Sequence, residues 1–173
     1  MVVAGLLFLA FAYFAVGQAA VNRNGAQTAA DAAALAAAQE TRDQLADLWV
    51  LEVRDPTKWQ SIFDGNGADD ACWRASELAV QNDASLYDCK LDGLLGYTVR
   101  AQTNKTVGES VVPGTAGRQA RAYATAVIEP LCKPDDVLPK LTCEDDREWD
   151  LDPKNLIDLP KPEDLFDVHL AND

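Results

Sequence analysis

The chain opens with an uncharged apolar segment that continues without a break into a strongly helix-forming one. Residues 1–22 contain no charged side chain, and nine of the thirteen residues from Ala26 to Ala38 are alanine. Alanine has the highest helix propensity, and no proline precedes Pro56. These features predict one helix over residues 1–54, about 80 Å long. Its first part belongs in lipid or in an equally apolar protein core, and its remainder in water.

The apolar segment is long enough to cross a membrane, since about 20 apolar residues span the hydrocarbon core. Lys and Arg normally flank such a segment on the cytoplasmic side. Here the first basic residue is Arg23, on the far side of the segment. This asymmetry predicts that the chain is a mature form, from which a leader carrying the basic residues has been removed.

The net charge of −13 and the pI near 4.3 exclude nucleic acid as a partner, because its phosphates require a basic surface. The acidity is concentrated toward the C-terminus. Residues 129–173 contain 14 acidic and 5 basic side chains.

Four cysteines, Cys72, Cys89, Cys132 and Cys143, contain no CxxC pair. An even number of cysteines behind a membrane segment favours two disulfides in an oxidising compartment. Three connectivities are possible, and the sequential one, which closes the shortest loops, is preferred. Free buried thiols in a cytosolic protein are the alternative.

The remaining pattern predicts an α+β fold, with a long N-terminal helix and a small disulfide-bonded domain. A second helix is expected over residues 72–84, with Trp73, Ser76, Leu78, Ala79 and Val80 as its apolar stripe. Apolar or small side chains alternate with polar ones over residues 96–107 and 119–129, and this pattern predicts antiparallel strands. The alanines of the second strand form a flat face suited to the alanine-rich helix.

Four regions follow along the chain. Residues 1–25 form an apolar membrane or filament-core helix, and residues 26–54 its alanine-rich continuation. Residues 55–130 form the globular α+β domain, and residues 131–173 an acidic, proline-rich strap. The strap carries enough apolar side chains to lie on the domain or on a neighbouring subunit. A solvated tail is the alternative.

The sequence contains no recognisable catalytic constellation, so no enzymatic activity, cofactor or metal is expected. Residues 64–70 (DGNGADD) partly match a calcium loop, but Ala75 stands where an EF-hand loop has a bidentate Glu. A plain surface turn is the preferred interpretation.

The motif QTAADAAALAAA at residues 27–38, preceded by the apolar segment and Asn22-Arg23, resembles the TadE/TadG-like proteins of tight-adherence (Flp/Tad) pilus systems. The short actinobacterial kind is the most similar. The resemblance is strongest over residues 1–40. It implies a type IV pilin-like subunit that inserts into the cytoplasmic membrane and is processed by a prepilin peptidase. Tad-type machinery would then assemble it with the helices bundled in a filament core. Pilins of this superfamily usually carry Glu at mature position 5, where this chain has Gly5.

The resulting prediction is that the protein is a bacterial pilin, the structural subunit of an extracellular filament on the cell surface. The filament would be a helical homopolymer of this subunit. The alternatives are a membrane-anchored minor pilin or pilus-assembly protein, and a membrane-tethered binding ectodomain that does not polymerise. The residues predicted to form the assembly helix are Met1, Val2, Val3, Leu6, Leu7, Phe8, Phe11, Phe14, Val16, Gly17, Val21, Gly25, Ala29, Ala33 and Ala37.

Overall fold

A computed structural model describes residues 2–106, 117–135, 140–144, 147–151 and 159–171, with backbone only at residues 2, 15, 18, 19 and 150. The predicted N-terminal helix is confirmed as α1, which spans Val2–Leu51 and is about 75 Å long. It ends three residues before the predicted end, in a turn that leads to a 3-10 helix at Pro56–Lys58.

The second half of α1 is the centre of the hydrophobic core. Fully buried alanines line it from residue 26 to residue 38, and Leu45 and Trp49 continue this buried surface. Because alanine is small, the helix backbone lies close both to the sheet and to the second long helix. The Trp49 ring packs against Trp59 on the short helix α2 (Trp59–Phe63), with ring centroids 5.6 Å apart.

The second long helix, α3, spans Cys72–Gln81 and is shorter than predicted. Of the five residues predicted to form its apolar stripe, Ala79 is buried, and Ser76 and Leu78 are half-buried. The prediction is wrong for Trp73 and Val80, which are 53% and 64% exposed. The buried residues are Ala75 and Ala79, four residues apart on one face. The side chain of Asn82 donates a hydrogen bond to the carbonyl of Leu78 and ends the helix there. Close helix packing therefore selected the small side chains of α3 rather than the large ones.

The main sheet has four antiparallel strands in the order β1-β2-β3-β7. β1 is Ala84–Leu91, β2 Gly96–Thr106, β3 Gln119–Pro130 and β7 Phe166–Leu170. The two central strands confirm the alternation seen in the sequence. Tyr97, Val99, Ala101 and Thr103 of β2 are buried, as are Ala124, Ala126 and Ile128 of β3. The edge strands β1 and β7 were not predicted.

The C-terminal region forms a second sheet and returns to the first. Three short antiparallel strands, β4 (Cys132–Pro134), β5 (Lys140–Cys143) and β6 (Glu148–Asp150), pair in that order. A helical turn, α4 (Pro162–Leu165), then leads into β7. Leu165 and Phe166 are fully buried, and the Phe166 ring lies 5.2 Å from that of Phe63. The described parts of this region therefore lie on the chain's own domain, rather than forming a solvated tail.

One buried hydrogen-bond network joins α1, the loop before α3 and β2. The Tyr97 hydroxyl lies 2.8 Å from the Thr41 hydroxyl and accepts a hydrogen bond of 3.0 Å from the backbone N–H of Ala71.

Tyr97→Phe should destabilise the fold by about 2 kcal/mol, because it leaves a buried N–H without its acceptor. Urea denaturation measures the loss. Tyr123→Phe, which alters an exposed ring, is the control, and equal effects of the two substitutions would contradict this role.

The sequential disulfide connectivity is confirmed. Cys72 at the start of α3 bonds to Cys89 on β1, and Cys132 bonds to its register partner Cys143 across β4 and β5.

Replacing Cys132 and Cys143 by alanine should lower the free energy of unfolding by about 3 kcal/mol, because the open loop gains entropy in the unfolded chain. Thermal unfolding tests this. Assembly through α1 should survive the substitution, and its loss in a variant that still folds would show that the region around this bond contributes to the contact between subunits.

Candidate assembly surface

The first half of α1 projects from the domain with apolar side chains exposed. Every side chain described from residue 3 to residue 14 is exposed. The large ones, with 55–84% of their surface accessible, are Val3, Leu6, Leu7, Phe8, Leu9, Phe11, Tyr13 and Phe14. Val16 and Val21 continue this exposed surface toward the domain. Exposed apolar area of this extent, on one contiguous helix, is typical of an interaction surface.

The projecting part joins the domain through polar side chains. Asn22 donates from its side-chain amide to the carbonyl of Lys105 at 3.4 Å, and Gln27 donates to the carbonyl of Tyr123 at 3.2 Å. Gln27 also bonds to Asp31 one turn later on the helix. From Ala26 onward, the alanines on one face of the helix are buried against the domain. These amide contacts mark the point where α1 changes from an exposed to a buried helix.

The structure divides the predicted assembly residues into two groups. Val3, Leu6, Leu7, Phe8, Phe11, Phe14, Val16, Gly17, Val21 and Gly25 are exposed. Met1 and the side chain of Val2 lie outside the described residues. Ala29, Ala33 and Ala37 are fully buried in the chain's own core, which corrects their assignment to the surface between subunits. They have no accessible area left for a second copy, because the chain's own domain already covers them.

One face of the projecting helix is separated from the end of the domain by a groove of about 850 Å³. The helix contributes Ala10, Gly17 and Gly25 among others, and the domain contributes Asp83, Thr103 and Lys105. No local pattern in the sequence indicates these three domain residues, because two different elements bring them together. Only the register of β1 on β2 places Asp83, just before β1, beside the end of β2.

The groove wall carries an exposed ion pair between Lys105 Nζ and Asp83, 2.8 Å apart. The hydrogen bond from Lys105, with its charge, lowers the pKa of Asp83 below 3.8. The same hydrogen bond raises the pKa of Lys105 above 10.5. The lowered carboxyl pKa contributes stability that is lost as the pH falls below 3.8, and the raised amine pKa contributes stability that is lost as the pH rises above 10.5. Between these values both groups stay charged and their charges cancel.

The loop at residues 64–70 packs against neighbouring elements. A Cβ at Gly67 would lie 2.6 Å from the Leu48 side chain, and one at Gly65 would lie 2.8 Å from Leu94. Both glycines have positive φ, which side chains disfavour. Over the part of the chain that the structure describes, no cluster of three or more His, Cys, Asp or Glu side chains could hold a metal ion. The glycines of this loop therefore serve a tight turn and close packing.

Within the described ranges, no helix combines the length and the hydropathy required to cross a membrane.

Comparison with known proteins gives a match to a family model over the N-terminal part of the chain. Residues 1–40 match the Tad family, described as "Putative Flp pilus-assembly TadE/G-like". Neither the curated proteins nor the solved structures include a match to this chain. The matched segment covers the whole projecting part of α1 and the first buried alanines. Over these residues the predicted resemblance to TadE/TadG-like proteins is confirmed.

Proposed function

We propose that this protein takes part in Flp/Tad pilus assembly as a pilin, the structural subunit of an extracellular filament. Its role is structural rather than enzymatic, and its main partner is a second copy of itself. The match of residues 1–40 to the TadE/G-like family supports the link to the pilus system. The observation that carries the subunit role is the exposed apolar half of α1.

The area of this surface supports assembly over a monomeric state. Ten large apolar residues from Val3 to Val21 are more than half exposed. At roughly 100 Å² each, they expose about 1,000 Å² of apolar surface. The largest apolar patch of a soluble monomer is about 300–600 Å². A standard protein interface buries about 800 Å² per partner. The helix therefore exposes enough apolar area for a stable contact between subunits.

The division of α1 supports a pilin-like arrangement. The alanine-rich face of its second half is buried against the domain, whereas the first half presents its apolar side chains to solvent and is free to pack in a filament core. The domain, with two disulfides, would then lie outside that core. Before assembly, the apolar half would be held in the cytoplasmic membrane, where a prepilin peptidase and Tad-type machinery would act on the chain.

Fibres sheared from the surface of the native bacterium test this proposal. We expect electron microscopy to show filaments and mass spectrometry of the fibres to identify this chain as their main component. Trace amounts in the fibres would instead indicate a minor pilin. Retention in the membrane fraction, with no chain in the fibres, would indicate a tethered ectodomain and would contradict the proposal.

A further inference from the structure

The groove between the projecting helix and the domain has free space beside two glycines of the helix. Its helix side is lined by the large apolar Tyr13, Phe14 and Val21 and by three small residues. The small ones, Ala10, Gly17 and Gly25, lie seven and eight residues apart and therefore on one helix face. A Cβ added at either glycine would meet no atom within 4 Å. Larger side chains at these positions would thus fill the groove without disturbing the isolated chain.

The domain side of the groove is electrically neutral. Asp83 and Lys105 bind each other at 2.8 Å, so neither offers an unpaired charge to a ligand. The hydroxyl of the nearby Thr103, a largely buried residue, is already engaged with the carbonyl of Lys105. A charged ligand would have to compete with these contacts. The groove is therefore suited to an uncharged, apolar occupant.

We infer that this groove receives the N-terminal tip of α1, residues 3–9, of a second copy of the chain. The inference rests on the proposed function and specifies the contact by which one subunit holds the next. The tip carries Val3, Leu6, Leu7, Phe8 and Leu9, all more than half exposed. Residues 3–9 contain no charged side chain, which matches the neutral groove.

The groove is large enough for this occupant. Seven helical residues are about 10 Å long, whereas the helix side of the groove, from Ala10 to Gly25, extends for about 22 Å. The volume of about 850 Å³ lies within the range of sites that enclose a ligand of several hundred daltons. A short apolar helical segment is comparable in size.

The contact also explains how a filament could grow. The tip and the groove are different surfaces of the same chain, so the contact between two copies is head-to-tail. Head-to-tail contacts that do not close into a ring generate open helical assemblies. Each added subunit would fill one groove and present a new one.

The first test uses the full chain, purified in detergent and assembled by detergent removal. Gly17→Leu combined with Gly25→Leu fills the groove, and we expect it to weaken association by about tenfold or more. The control, Ala12→Leu with Ala20→Leu, adds similar apolar bulk at exposed positions outside the groove lining. It should associate at least as strongly as the original chain. Sedimentation velocity measures association, and circular dichroism confirms folding.

The second test mixes two assembly-defective variants. The filled-groove variant retains its tip, while Leu6→Gln with Phe8→Gln alters the tip and retains the groove. Mixed together, they should form one-to-one dimers that do not grow, since each pair leaves one filled groove and one altered tip free. Chains that stay apart on mixing would overturn the inference.

The outcomes separate the inference from the proposed function. If the filled-groove variant assembles like the original chain while the tip variant does not, the groove assignment is overturned and the subunit role stands. The same result is expected if a lipid or detergent chain is the true occupant. If the original chain neither assembles in solution nor occurs in native fibres, both proposals fail.

Discussion

Replacing Leu6 and Phe8 by glutamine is expected to abolish assembly and to leave the domain fold unchanged. Both side chains are more than half exposed on the projecting helix, so neither contributes to the core. Burying a Leu or Phe side chain contributes about 1.5–3 kcal/mol. The loss of two such side chains should weaken each contact between subunits by at least about 100-fold, since each 1.4 kcal/mol is a factor of ten. Glutamine preserves the helix, because its helix propensity is close to that of leucine.

The measurement is the amount of sedimentable or filamentous protein, compared at equal concentration with the original chain. Trp73→Gln with Val80→Gln is the matched control, since it removes two exposed apolar side chains from α3 instead of α1. We expect this control to assemble normally. Normal assembly of the tip variant, or equal loss in both variants, would contradict an interface on the first half of α1.

The second large effect is expected in the alanine-rich half of α1. Ala33 and Ala37 have no accessible surface and belong to one core cluster with the buried side chains of β2 and β3. Leucine at either position would force the helix away from its neighbours. Overpacking of this kind costs about 1–3 kcal/mol per site, so the double variant should lose about 2–6 kcal/mol. A small domain has about 5–15 kcal/mol in total, so much of its stability would be lost.

Chemical denaturation measures this loss, and Ala20→Leu is the matched control. Ala20 lies on the same helix but is exposed, so leucine there should leave the denaturation midpoint unchanged. A double variant as stable as the original chain would show that the alanines are not closely packed. Loss of assembly without loss of stability would indicate that Ala33 and Ala37 lie in the contact between subunits.

The strongest local patterns were those that predicted the fold correctly. The uninterrupted helix, the alternation of β2 and β3, and the pairing of each cysteine with its nearest neighbour in sequence are all present. Each depends on residues close together in the chain. The edge strand β1 was missed because its side chains alternate only weakly between buried and exposed, and a bulge between Leu86 and Asp88 shifts its register. β7 and the second sheet were missed because their strands have only three to five residues.

Assignments that depended on what surrounds a helix were less successful. The predicted apolar stripe of α3 includes Trp73 and Val80, which are exposed, and leaves out Ala75, which is buried. Periodicity shows that a helix has an apolar side, but close approach to a second helix selects small residues for the contact. The alanine motif of α1 was ambiguous for the same reason. Alanine permits close packing against either a neighbouring subunit or the chain's own sheet.

The sequence by itself determined a long helix with an apolar first half and an alanine-rich second half, because helix propensity and hydropathy act on neighbouring residues. It also favoured the sequential cysteine pairs among the three possible connectivities, since short loops close most easily. The tertiary structure decided what covers the alanine face of α1, which the sequence left open between the chain's own sheet and a neighbouring subunit. Ala29, Ala33 and Ala37 lie against the chain's own domain, whereas residues 3–14 remain exposed. It also created the groove, because Asp83 and Lys105 meet there only through the pairing of β1 with β2.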